Sequence, residues 1–348
     1  MRSAWWKILG VLILLYVIIV GMCTPMKPGF TGDVVPFLHK SGTRATFKVT
    51  GYNTHFTQPD TKAWLKLDTT SVIEVEEISA ISDVEATFTV QLPEYLPTQD
   101  STLDATLLVA NAVDGTAILP RALFITQSSI DPLAKSYGNL SAIDFPRYKG
   151  FAFPYRSTLH ETVRNTFFHV AIWFAMYSVL IVGLIYSIKY LRNPNTRNDI
   201  IASSFTEVGV VLGFLGIFTG SVWARFTWGA FWTPDVKLNT AASFILIYSA
   251  YLVLRSSMPD QDRRAKVSAA YNIFAFATMI PLIIIIPRLT DSLHPGNGGN
   301  PALGGEDLDN TLRMVFYPAI IGLILFSVWI SSLLVRLRLL SDDFLSRR

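Results

Sequence analysis

From Thr166 to Ile188 the chain runs for 23 residues without an aspartate, glutamate, lysine or arginine. The hydrocarbon core of a bilayer takes roughly 20 apolar residues of helix, and this run meets that length almost unbroken. Five more segments share its character: Ile8–Met22, Val208–Ala224 (its helix starting nearer Ile200), Leu238–Leu254, Val267–Pro287 and Met314–Val335. Only 16% of the residues are charged, against about 25% in a soluble globular chain, which excludes a purely soluble enzyme. The net charge of +3 is too small to argue for nucleic acid. A single cysteine, Cys23, excludes an intrachain disulfide and a Cys-based zinc or iron–sulfur site. Nor is there a Cys-x-x-Cys-His for covalent c-type haem attachment.

The sign of the loops orients the spans. Arg2 and Lys7, then Lys189, Arg192 and Arg197, then Arg255, Arg263, Arg264 and Lys266, then Arg336, Arg338, Arg347 and Arg348 fall on one side. The short loops of the other side hold Arg225, Lys237, Arg288 and Arg313. The positive-inside rule then puts both termini of a multi-pass membrane protein in the cytoplasm. In Val20-Gly21-Met22-Cys23 a methionine stands where a lipoprotein cleavage site needs a small residue, so the first span is expected to remain as an anchor.

Residues 24–160 read differently. Arg44–Val49 and Lys62–Asp68 alternate polar with apolar residues, and Val72–Val75, Ala86–Leu92, Thr106–Ala110 and Ala117–Thr126 complete a series of short β-type runs separated by turn signals. That spacing predicts an immunoglobulin-like sandwich. The expected fold is thus an α-helical integral membrane protein of six transmembrane helices with an inserted extracytoplasmic all-β domain. Its parts are a first transmembrane helix (1–23), the periplasmic insert (24–160), a five-helix membrane domain (161–340) and a cytoplasmic tail (341–348). No chemistry is legible in the insert: His39 and His55 show no partner pattern, and Glu74-Val75-Glu76-Glu77 reads as a solvated strand edge. A docking or spacer module is expected.

Charge-free helices leave few residues able to bind anything. His169 stands just inside the outer end of span two and His294 just beyond the outer end of span five, so both share one membrane depth. Two imidazoles so placed can ligate a haem iron from either side; the bland alternative is that each sits at the interface. His160, taken on a continuous helix, is half a turn off the face of His169. Between spans three and four, Thr219–Asn239 reads as an outer loop that gathers Trp223, Trp228 and Trp232 with Phe226 and Phe231. An ordinary aromatic belt would explain rings at the headgroup level, but not Gly220 and Gly229, nor Arg225, Asp235 and Lys237 among the rings. An apolar shelf with cations beside it suits a flat macrocycle carrying two carboxylates.

These residues resemble the haem-handling (WWD-domain) protein family and, within it, the cytochrome c maturation protein C (haem exporter protein C) branch. The likeness rests on Thr219-Gly220-Ser221 through Trp223, on Trp228-Gly229-Ala230-Phe231-Trp232, on Asp235-Val236-Lys237-Leu238, and on His169 and His294 in their local settings. It implies haem b bound transiently and non-covalently, with His169 and His294 as axial ligands. It also implies Trp223, Trp228, Gly229, Phe231, Trp232 and Asp235 as a haem and chaperone platform. Arg225 and Arg288 are assigned as propionate partners from their position. The implied role is no enzyme but haem presentation at the outer face, with an auxiliary part in covalent attachment left open. The implied partners are a periplasmic haem chaperone (maturation protein E), a small membrane subunit (maturation protein D) and ATP-binding-cassette transporter subunits. Two departures from the family pattern stand out: Pro234 occupies the place of the last motif tryptophan, and the β-rich insert replaces a short loop. The alternatives are a haem-handling cytochrome c synthase component of the other maturation route, and a membrane-anchored β-domain receptor or structural protein.

Overall fold

The structure, a computed structural model, describes residues 4–32, 34–130, 137–294 and 308–346. Arg2, Arg347, Arg348 and the Pro295-Gly296 pair after His294 lie outside the described residues. The chain divides into two compact units, Thr24–Glu161 and a second made of Met1–Cys23 with Thr162–Arg348.

The first unit is built from two β-sheets. One has the order β1-β3-β7-β6 (Gly29–Phe30, Arg44–Tyr52, Glu85–Gln91, Glu77–Ala80). The other has the order β2-β9-β8-β4-β5 (Leu38–Lys40, Gly115–Thr126, Thr102–Asn111, Lys62–Lys66, Val72–Glu74), with β2 parallel to β9. Strand alternation builds the core: in β3, Ala45, Phe47 and Val49 are buried while Arg44, Thr46 and Lys48 are exposed. Phe47 and Phe88 stack at 5.8 Å, and Phe56 meets Phe88 edge-on at 6.0 Å. Leu65, Leu107, Leu123 and Ile125 close the same core from the other sheet. Each such large side chain contributes about 1.5–3 kcal/mol by leaving water. The six expected strands are all present. Sequence pattern missed β1, β2 and β6, which are too short to display a period. Glu74 ends β5 and Glu77 begins β6, so the acidic stretch is the corner where the chain changes sheets, pinned by buried Val75. His55 also departs from expectation. Its Nδ1 lies 2.7 Å from Asp114 Oδ1, and its backbone N–H donates to Asp114 Oδ2 at 2.7 Å. The acid belongs to the β8–β9 turn, too far along the chain for a local pattern to reveal.

In the second unit, six helical stretches are long and apolar enough to cross a membrane: Trp5–Cys23, His160–Arg192, Thr196–Trp228, Val236–Ser256, Gln261–Leu289 and Asn310–Phe344. Their α-helical parts are α1 (Trp5–Cys23), α2 (Ala171–Arg192), α3 (Thr196–Trp228), α4 (Val236–Ser256), α5 (Gln261–Ala277), the single turn α6 (Ile286–Leu289) and α7 (Asn310–Ser346). Helices meet where side chains are smallest, as membrane packing favours. A Cβ on Gly10 of α1 would lie 3.1 Å from the Leu325 side chain of α7, and one on Gly322 of α7 would lie 2.9 Å from Ile13. On α3, Gly209, Gly213 and Gly216 fall at helical spacing, and a Cβ on each would strike Leu180, Ile245 or Trp173 within 3.0 Å. At the arginine-rich end, Arg255 holds Asp199 through two hydrogen bonds of 2.8 and 2.6 Å, tying α4 to α3. Arg338 holds Glu207 at 2.6 Å, tying α7 to α3. Asp199 lies on the same helix as Glu207, because α3 begins earlier than its charge-free stretch.

Arg255→Ala leaves the 8%-exposed Asp199 side chain without its counter-charge, a change that costs about 3–5 kcal/mol in a buried pair. The expected readout is a lowered midpoint of thermal unfolding in detergent, and an unchanged midpoint would show that the pair does not clamp the helices.

Candidate functional site

The tryptophan-rich segment is not a loop over most of its length. Helix α3 spans 33 residues, about 50 Å at 1.5 Å per residue, far longer than the roughly 30 Å hydrocarbon core. Its last turns carry Trp223, Arg225, Phe226 and Trp228 on a helix. The helix stops at Gly229, which takes the left-handed conformation (φ 81°) that a Cβ disfavours. Arg225 folds back to donate to the Gly229 carbonyl and lies 5.9 Å over the Phe231 ring. The true loop is Gly229–Asp235, with Phe231, Trp232 and Pro234 exposed.

His169 is presented by irregular backbone. Residues His160–Asn165 form a 3₁₀ turn and Thr166–Val170 a π turn before α2 begins; π segments are frequent at functional sites. The 100° rule that separates His160 from His169 therefore does not apply. His160 has φ 47° and accepts or donates through Nδ1 at 2.7 Å to the Tyr155 hydroxyl. The His169 ring lies against Gly220, where a Cβ would be 2.6 Å from its Cε1. Its Nδ1 is 3.1 Å from Thr219 Oγ1. Trp173 and Trp223 present themselves edge-on to it at 6.3 and 5.8 Å, and Trp223 is fixed by an N–H···O bond of 3.0 Å to Thr162.

His294 follows a second π segment, Ile280–Ile285. Its Nδ1 is 3.0 Å from Asp235 Oδ1, and the Leu293 N–H donates to Asp235 Oδ2 at 2.7 Å. Asp235 also caps α4, accepting from the Lys237 N–H at 2.9 Å and the Leu238 N–H at 3.3 Å. Its carboxylate is 1% exposed. Burial alone would raise its pKa, but hydrogen bonds from the Ser292 side chain and the Leu293 N–H, with the His294 ring beside it, hold it below the usual carboxylate range. Burial depresses the pKa of His294, more than the neighbouring Asp235 raises it. The imidazole is thus neutral at pH 7, the form able to ligate a metal. Trp228 meets His294 at 4.8 Å, tilted by 74°.

Both histidines line one open cleft, whose walls include Trp173, Tyr177, Trp232 and Lys237. Trp223 and Trp228 instead buttress the two imidazoles from behind. Arg225 and Arg288 are exposed and are not among the residues lining the cleft. Sequence reading did not assign Trp173 or Tyr177, although His169, Trp173 and Tyr177 recur at four-residue spacing, the signature of one helical face. Among the described residues no three His, Cys, Asp or Glu side chains converge on a point.

Fold and cleft together define a membrane protein of six apolar helices with a two-histidine, tryptophan-walled site at one end of the bundle. A family model described as heme exporter protein C matches residues 139–347 of the 348, and the chain belongs to that family. It is 28% identical over 194 residues to heme exporter protein C of Bradyrhizobium diazoefficiens, covering 54% of this chain and 68% of that protein. To heme exporter protein C of Paracoccus denitrificans it is 23% identical over 189 residues, 54% of this chain and 77% of that protein. A shorter likeness, 30% identity over 115 residues, links it to cytochrome c biogenesis protein CcsA of Chlamydomonas reinhardtii, covering 29% of this chain and 33% of that protein.

Gly220→Ala must displace the His169 ring, an overpacking that costs about 1–3 kcal/mol. A lowered unfolding midpoint in detergent is expected, while Gly229→Asn, at a position where no atom lies within 4 Å of an added Cβ and where Asn tolerates the left-handed conformation, should leave it nearly unchanged. Equal midpoints for Gly220→Ala and the parent would contradict the close approach.

Proposed function

We propose that this protein handles haem for cytochrome c-type biogenesis, binding haem b transiently and without a covalent bond in the cleft and presenting it to a periplasmic haem chaperone. The observation that carries this reading is the convergence of His169 and His294, contributed by separate segments of the chain, on one aromatic-walled cleft. The donor set fits the cargo. Two imidazoles would leave a bare ion under-coordinated, whereas haem brings its equatorial nitrogens itself and needs only two axial ligands. Trp173, Tyr177 and Trp232 supply apolar walls for a macrocycle, and Gly220 leaves the space in which His169 turns toward it. Trp223 and Trp228 hold the imidazole planes, Asp235 fixes His294, and Phe231 with Gly229 shapes the exposed platform where a chaperone would approach. For the propionates, Lys237 is the cation within the cleft. Arg225 and Arg288 stand outside it and would have to turn inward to serve as partners. The chain's own work is to bind, orient and release, the work of a handling component.

The arginine-rich loops support an inner-membrane orientation with both termini cytoplasmic and the cleft and β unit outside, and with it the division into first helix, 24–160 insert, membrane domain and tail. Within the insert, the strand orders β1-β3-β7-β6 and β2-β9-β8-β4-β5 correspond to A-B-E-D and to A′-G-F-C-C′ of an immunoglobulin sandwich. We read it as an immunoglobulin-like docking module. The names of the heme exporter relatives support a multi-subunit assembly; the small membrane subunit and the ATP-binding-cassette subunits are its expected members. The shorter likeness to CcsA supports a second reading, direct assistance to haem attachment on an apocytochrome, but it spans far less of the chain.

The test is the optical spectrum of the detergent-purified protein from haem-replete cells. A low-spin haem spectrum is expected in the parent, lost or converted to high-spin in both His169→Ala and His294→Ala. A parent that takes up no haem, or variants with the parent's spectrum, would refute the site. Orientation is tested separately by alkaline phosphatase fusions: high activity is expected when the enzyme follows Thr126 and none when it follows Leu340, and the reverse pattern would overturn the topology.

A further inference from the structure

The two histidines are held by different chemistry. The second nitrogen of His294 faces a carboxylate: Nδ1 donates to Asp235 Oδ1 at 3.0 Å. That carboxylate is itself fixed by the Leu293 N–H at 2.7 Å and by the cap of α4 through the Lys237 N–H at 2.9 Å. The second nitrogen of His169 faces a hydroxyl. Thr219 Oγ1 donates its only proton to a backbone carbonyl, Leu215 O at 2.9 Å or Gly216 O at 3.1 Å. With its proton on either carbonyl it accepts from the Nδ1–H of His169 at 3.1 Å, and the neutral Gly216 carbonyl is a second acceptor for the same ring. Both rings are thus fixed in the same tautomer, with the Nε2 lone pair available. They differ in what stands behind them. An imidazole backed by a carboxylate is a more basic and more firmly held ligand than one backed by a neutral hydroxyl.

We propose that the ligation is unequal, with His294 the anchoring ligand and His169 the exchangeable one, so that release begins on the His169 face while Asp235 keeps His294 engaged. This rests on the haem reading above and adds to it a direction of exchange. Asp235 and Thr219 act here as positioning residues, since each reaches the cargo only through a histidine. The inequality suits a protein that must bind and then give up its cargo. One firm ligand preserves orientation, and one weak ligand opens a coordination position to a donor brought by the recipient.

The experiment uses the full chain in detergent, loaded with haem, reduced, and exposed to carbon monoxide, which replaces one axial ligand and whose vibrational band reports on the ligand opposite. Asp235→Asn and Thr219→Val are compared with the parent. Asparagine is as good a helix N-cap as aspartate, so α4 is preserved while the charge behind His294 is removed. The proposal expects the carbon monoxide band to shift in Asp235→Asn and to stay at the parent position in Thr219→Val. It also expects haem affinity to fall about 10–100-fold in Asp235→Asn and no more than a few-fold in Thr219→Val, with Asp235→Glu recovering part of the loss. A band that moves in Thr219→Val but not in Asp235→Asn, or equally in both or in neither, overturns the inequality. The haem reading stands or falls separately, on whether the parent's low-spin spectrum depends on both histidines.

Discussion

Helix α3 lacks side chains at the places where α2 and the π turn before it set down two large rings. Gly216 receives Trp173 and Gly220 receives the His169 ring, each so close that a methyl group would collide. The apolar wall of the cleft and its first imidazole are both consequences of that contact. Because helices in lipid gain little from burying apolar surface against one another, close backbone approach is what sets the register of α2 on α3. The same register presents Trp223, one turn beyond Gly220, edge-on to His169. The length of α3 matters equally. Because the helix continues to Trp228 it carries Trp223 and Trp228 as a rigid post, so that the support behind both imidazoles rests on helix and not on loop.

Asp235 joins the second imidazole to the same frame. One carboxylate ends the loop after α3, caps α4, holds the Leu293 N–H and turns His294. Helix start and site geometry are therefore one structural event, which accounts for a fully buried acid in a segment otherwise exposed. The arginine-rich end of the bundle is tied independently, through Asp199–Arg255 and Glu207–Arg338. The bundle is thus fastened by charge at one end while the other end remains an open cleft.

Much of this was legible from residue order. Charge-free runs located all six spans, since twenty apolar residues have few other stable fates, and alternation located the six longer strands. The short edge strands were not legible because two to four residues cannot display a period. The extent of α3 was hidden because glycines and aromatics near Thr219–Trp228 resemble loop composition, although here the glycines serve packing. His169 and His294 were identified as candidates from depth alone. Their supports, Thr219 and Asp235, required coordinates, because each partner lies on a different helix end. The pairing of His55 with Asp114 escaped for the same reason, and among the described residues Lys237 lines the cleft while Arg225 and Arg288 do not.

The central claim is that one haem iron is held between the nitrogens of His169 and His294. The most direct measurement is low-temperature electron paramagnetic resonance of the ferric, haem-loaded protein with its histidines labelled with nitrogen-15, resolving the hyperfine coupling to the axial ligands. Two labelled imidazole nitrogens coupled to a low-spin iron are the predicted result. A high-spin iron, or an iron coupled to fewer than two labelled nitrogens, would contradict the account.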